Sequence, residues 1–172
     1  FPYPALFRSR HALDFFFEGG LLPDTLYLGG GTPSLFETRD LERIVSHLSA
    51  RYPLREITLE INPATVSREK IKEYRTLGIN RISLGVQSLD DRALHFLGRV
   101  HTAKEAMETA DHVSSTFDNF GIDLIFGIPG FSIFPFESTL RFLERCRPSH
   151  ISAYALSVEE GTPLADRGTT LR

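Results

Sequence analysis

The sequence has 172 residues, 41% of them hydrophobic and 24% charged, enough chain for one domain with a buried core. Its formal net charge of -3 gives no attraction to nucleic acid or an anionic membrane, and no apolar run approaches the ~20 residues of a membrane span. The single cysteine, Cys146, excludes an internal disulfide and a metal site made of cysteines alone.

Phe1 to Arg10 are apolar and basic, but no signal-peptide core or cleavage pattern follows, so the default location is the cytoplasm. From there the pattern is strand then helix, repeated. A strand is expected near Thr25–Leu28 and a helix near Arg39–Ala50, then a strand at Glu56–Ile61 and a helix at Arg68–Leu77. A third strand at Arg81–Val86 leads to helices at Asp90–Leu97 and Ala103–Thr116. A fourth at Gly121–Phe126 leads to a helix at Phe136–Cys146, and a fifth strand covers His150–Leu156. Ser67 caps one helix, and Thr102 with Glu105 forms a capping box at another. Gly78 and Gly98 each follow a helical run, where a left-handed residue closes the last turn. Strands about 25–30 residues apart with a helix between them are βαβ units, which make a mostly parallel sheet.

An open doubly wound sheet and a (β/α) barrel both satisfy that pattern, and the strand faces separate them. Side chains alternate between the two faces of a strand. Ile57, Leu59 and Ile61 oppose Thr58, Glu60 and Asn62; Ile82, Leu84 and Val86 oppose Ser83, Gly85 and Gln87. Ile122, Leu124 and Phe126 oppose Gly121, Asp123 and Ile125, and Ile151, Ala153 and Ala155 oppose Ser152, Tyr154 and Leu156. One face suits packing under helices. The other is small or polar and grows more polar toward the carboxyl end. An open sheet covered on both sides would be apolar on both, so the expected fold is α/β, a partial TIM-like barrel of about five parallel strands.

The site of such a barrel lies at the carboxyl ends of its strands. The first tip is Gly29-Gly30-Gly31-Thr32-Pro33-Ser34, whose glycines bare the backbone to a ligand. It is neither a dinucleotide fingerprint nor a phosphate loop, because Ser34 stands where a glycine is needed and no lysine follows. Glu60 ends the second strand on the polar face, where it meets either a ligand or solvent. Gln87 ends the third with an amide that both donates and accepts. Asp123 lies within the fourth strand and needs a partner, for which Arg99 or a ligand hydroxyl would serve. Arg99 follows a helix, and His101 beside it is expected to cap that turn or meet solvent. Cys146 reads as a packed thiol, and no serine–histidine–acid elbow or zinc spacing is present.

In order, Leu26-Tyr27-Leu28-Gly29-Gly30-Gly31-Thr32-Pro33-Ser34, Ile57-Thr58-Leu59-Glu60-Ile61-Asn62-Pro63 and Asn80-Arg81-Ile82-Ser83-Leu84-Gly85-Val86-Gln87-Ser88 form a series. It continues with Leu97-Gly98-Arg99-Val100-His101, Ile122-Asp123-Leu124-Ile125-Phe126-Gly127-Ile128-Pro129-Gly130 and Glu160-Gly161-Thr162-Pro163-Leu164. This series resembles the oxygen-independent coproporphyrinogen III oxidase and HemW-type haem chaperone family of radical S-adenosylmethionine (SAM) proteins. The resemblance implies that Gly29, Gly30, Gly31 and Thr32 line the methionine end of SAM. It further implies that Glu60, Gln87, Arg99 and Asp123 bind the rest of its amino-acid and ribose parts. The family also implies a 4Fe-4S cluster that cleaves SAM to a radical, an electron donor, and a porphyrin or haem as the molecule handled. The family's three cluster cysteines, in the pattern Cys-x3-Cys-x2-Cys, are absent here. Residues 1–24 are therefore expected to be a divergent or truncated remnant of the cluster loop, with Phe1 and Pro4 at cysteine positions, and residues 25–172 the partial barrel. On that reading this chain is catalytically inactive. A haem chaperone and a non-catalytic (β/α) small-ligand scaffold are the alternatives.

Overall fold

The computed structural model describes residues 22–131, 136–158 and 161. The expected cluster-loop remnant, with Phe1 and Pro4, lies outside them apart from residues 22–24, as does most of the motif at Glu160 to Leu164. Five strands form one sheet: β1 Thr25–Leu28, β2 Glu56–Ile61, β3 Arg81–Gln87, β4 Phe120–Phe126 and β5 His150–Ala155. Between them lie α1 Thr38–Ser49, α2 Arg68–Thr76, α3 Asp91–Phe96, α4 Ala103–Ser114 and α5 Phe136–Cys146. Short 3-10 turns at Pro33–Leu35 and Pro63–Thr65 follow β1 and β2.

The five strands are parallel and run in spatial order β1-β2-β3-β4-β5. A doubly wound sheet reverses its order at a switch point, whereas a barrel adds each strand beside the last in one direction. The observed order is that of a partial barrel. The register sets the polar positions side by side across the sheet: Tyr27 pairs with Thr58, Glu60 with Ser83, Ser83 with Gly121, and Asp123 with Ser152.

Alternation also decides where the core lies. Ile57, Leu59, Ile61, Ile82, Leu84, Val86, Ile122 and Leu124 are buried, and they join Leu41 and Val45 of α1, Ile71 and Tyr74 of α2, Ala106, Ala110 and Val113 of α4, and Phe142 of α5 in one cluster. Truncating one of its leucines or isoleucines to alanine costs about 2–5 kcal/mol. Helix ends follow local chemistry. The Ser67 side chain accepts from the Lys70 amide, and Thr102 with Glu105 closes a full capping box. Gly78 and Gly98 take the left-handed conformation (φ 91° and 70°) that stops a helix without steric cost.

Candidate site at the carboxyl ends of the strands

The glycine turn after β1 combines two conformational needs. Gly30 and Gly31 have φ of 82° and 64°, angles that side chains make costly. Gly29 is restricted by space instead: a Cβ there would lie 2.5 Å from Cε1 of Tyr27 and 3.1 Å from the carboxyl carbon of Glu60. Glu60 ties this turn to β2. Its Oε2 accepts from the Gly30 amide at 3.0 Å and its Oε1 from the Tyr27 hydroxyl at 2.8 Å. Burial, then the bond to Glu60, push the Tyr27 phenol up to about 12, because ionising it would place a second negative charge beside the carboxylate.

Beyond the turn, Thr32 leads into a 3-10 turn whose Ser34 is fully buried. The Ser34 carbonyl accepts from Nζ of Lys70 and, at 3.3 Å, from the Tyr74 hydroxyl, both on α2. Its hydroxyl lies 2.6 Å from that of Thr65, which donates to the Asn62 carbonyl at 2.7 Å. With the Thr65 proton so used, Ser34 is the donor of that pair. The loops after β1 and β2 are thereby joined by buried or half-buried hydrogen bonds.

β3 ends in a different way. Gln87 is buried and has φ 66°, one of two described non-glycine residues with positive φ. The Ser88 amide reaches back to the Val86 carbonyl at 2.8 Å, and the β3–β4 register shifts between Leu84 and Gln87. A bond from residue i+2 to residue i around a positive φ is a tight, strained γ-type turn. It turns the Gln87 side chain over Gly85: a Cβ on Gly85 would sit 2.8 Å from Nε2 of Gln87 and 2.9 Å from Oδ1 of Asn62.

Asp123 is half-buried on β4 and accepts from the Ser83 hydroxyl at 2.9 Å. Of the two partners expected, Arg99 or a ligand hydroxyl, the first is corrected: the partner observed is Ser83. A serine on the neighbouring strand is already in register and needs no long side chain to be ordered. Arg99 is half-buried, its Nε has no partner among the described residues, and burial pulls its guanidinium below its ordinary value. His101 is also corrected. It neither caps a helix nor meets solvent but is 4% exposed, with Nε2 3.1 Å from the Val86 carbonyl. Burial lowers its pKa despite that bond, which by itself would raise it.

The candidate residues thus fall in three local groups: Gly29–Thr32 with Glu60, Gln87 over Gly85, and Asp123 with Ser83. Arg99 lies on the segment that follows α3. Sequence reasoning missed Tyr27, although alternation along β1 puts it on the face of Gly29. It also missed the anchoring roles of Lys70 and Tyr74, which only the packing of α2 reveals. After β4 the chain makes a turn in which the Phe131 amide bonds the Ile128 carbonyl at 3.1 Å around Pro129 and Gly130 (φ 78°).

The model of the radical SAM superfamily matches residues 16–143. The chain belongs to the radical SAM superfamily. Several of its relatives there carry the name "Heme chaperone HemW". It is 37% identical over 145 residues to "Radical S-adenosyl methionine domain-containing protein 1, mitochondrial" of Bos taurus, covering 82% of this chain and 33% of that protein. It is 37% identical over 151 residues to "Heme chaperone HemW" of Escherichia coli (strain K12), covering 86% of this chain and 40% of that protein. The solved coproporphyrinogen III oxidase HemN of Escherichia coli superposes with a TM-score of 0.72 at 24% identity, over 86% of this chain and 35% of that one. This radical SAM chain therefore spans about a third to two fifths of the length of these relatives.

SAM and a 4Fe-4S cluster are features of the family. The residues of this chain do not fit the cluster. Its one cysteine, Cys146, is buried at the end of α5, on the helix side of the sheet, and burial pushes its thiol up to about 11. Among the described residues no group of three or more His, Cys, Asp or Glu could hold a metal ion. No described helix is long and apolar enough to cross a membrane.

Proposed function

We propose that this chain is the SAM-cradling part of a HemW/HemN-like radical SAM protein, and that alone it binds SAM without cleaving it. The observation that carries this reading is the unfilled hydrogen-bonding capacity of the rim. Arg99 holds a buried Nε with no described partner, and removing a donor from water without a partner is costly. Glu60 is held by two donors yet keeps lone pairs free for a third. Gly29 to Gly31 leave the backbone bare beside it, so an amino group of SAM has acceptors within reach. Asp123, already oriented by Ser83, offers its carboxylate to a ribose hydroxyl. Bound SAM would supply the family's radical-forming sulfonium, and the chain's own work is to hold and orient it.

Calorimetry tests the cradle. SAM is expected to give a saturable heat with the unaltered chain, reduced at least tenfold in affinity by Glu60→Ala or Asp123→Ala. Equal heats in all three would remove the site assignment. Anaerobic reconstitution with iron and sulfide is expected to leave the chain without a stable cluster, and about one cluster per chain would overturn the claim of inactivity.

The parent activity we propose is haem or porphyrin handling, within the cytoplasm. Relatives at 37% identity carry the name haem chaperone, which favours haem transfer over coproporphyrinogen oxidation. A haem titration of the parent beside a coproporphyrinogen turnover assay separates the two. Turnover without haem binding would reverse the preference.

A further inference from the structure

The tip of β3 has a support on which the SAM reading does not draw. Val86, Gln87 and Ser88 are all buried, and Gln87 is held at φ 66° in a turn closed by the Ser88 amide. A non-glycine residue in this region costs about 1–3 kcal/mol and persists only where its surroundings hold it. Besides the β4 pairing of Gln87 with Leu124, a side-chain contact reaches it from outside the sheet. The Val86 carbonyl, which already accepts from Ser88, also faces Nε2 of His101 at 3.1 Å.

We propose that His101 is a positioning residue for this rim: its Nε2–H, donated to the Val86 carbonyl, holds the turn at Gln87 and fixes the short segment that carries Arg99. A carbonyl oxygen only accepts, so the proton must sit on Nε2. The segment is short. Gly98 ends the run after α3 at φ 70°, the Arg99 amide bonds the Leu94 carbonyl at 2.9 Å, and Thr102 begins α4 with its capping box. Between those two anchors the His101 side chain turns inward, while Val100 is 86% exposed. One hydrogen bond thus couples the carbonyl just before Gln87 to the loop bearing the half-buried Arg99. Burial also disfavours the charged imidazolium. The effect on ligand binding rests on the SAM-cradle reading; the effect on the turn does not.

Two variants separate positioning from filling space. His101→Phe keeps the ring volume without a donor, and His101→Gln keeps an N–H donor on a flexible stem. Nitrogen-15 NMR of the unaltered chain at neutral pH is expected to show the Nε2–H tautomer for His101. Amide exchange at Ser88 is expected to quicken about tenfold or more in His101→Phe and to return toward the unaltered rate in His101→Gln. SAM affinity, read by calorimetry, should follow the same order. An Nδ1–H tautomer would overturn the proposal, and this measurement needs no variant to fold. Unchanged Ser88 exchange in a folded His101→Phe chain would overturn it as well. If the unaltered chain binds no SAM, the cradle reading fails while the Ser88 exchange still decides the role of His101.

Discussion

Gly29→Ala isolates the coupling between the glycine turn and Glu60. The φ of Gly29 is outside the left-handed region, so its cost arises from contact alone. The new methyl would meet Tyr27 ring carbons at 2.5 Å and 2.9 Å, distances that real Cβ atoms do not sustain. Tyr27 has to yield, because it is 54% exposed and free to swing outward, while Glu60 is held from two sides. Swinging breaks its 2.8 Å bond to Glu60. A strained rotamer costs about 0.5–1.5 kcal/mol. The lost bond costs about 1 kcal/mol, at the low end for a charged acceptor because water replaces it at this exposure. The expected total of about 1.5–2.5 kcal/mol lowers Tm by about 3–10 °C in a chain of this size. The assay is urea and thermal unfolding of a double-mutant cycle with Tyr27→Phe. Since both single changes lose the same bond, the double variant should be more stable than the sum predicts, by about 0.5–1 kcal/mol. Strict additivity would refute the reasoning.

Other expectations follow from the same rim and from the helix layer. Gly85→Ala should destabilise the chain by about 1–3 kcal/mol, because the methyl meets Gln87 Nε2, buried and unable to swing away. Unfolding in urea checks this, and an unchanged midpoint would show that the Gln87 side chain is not fixed there. Cys146 should resist alkylation near pH 8 in the native chain and react once unfolded, since burial holds its thiol at about 11. The folded value lies above the thiol's ordinary value of 9.0, so the neutral thiol contributes stability that is whole below about pH 9 and lost as pH rises toward about 11. Cys146→Ala should flatten that alkaline decline; parallel curves for the two chains would contradict it.

Most of the architecture was legible because it depends on local periodicity. The bounds of β1, β2 and α5 agree with the sequence expectation, and the other elements differ by a residue or two at their ends. The extra residue on β3 is Gln87 itself, whose left-handed angle no periodicity announces, since only its surroundings make that angle bearable. The polar rim was legible for a similar reason. With a side-chain period of two, the apolar set of each strand fixes which residues share the opposite face.

Partnerships were not legible. Asp123 in an apolar strand demanded a partner, but the long reach of arginine made Arg99 look suitable while the parallel register had already brought Ser83 beside it. His101 looked like a capping or solvent-facing residue because its helix start is polar. It turns inward against the Val86 carbonyl, a neighbour that lies across α3 in the sequence. The sequence by itself therefore determined the strand and helix order, the two faces of the sheet, the family, and the lack of thiolates for a cluster. The tertiary structure decided which donor meets which acceptor. A hydrogen bond depends on separations of a few tenths of an ångström between residues 15 to 40 positions apart, and residue order alone does not set those separations.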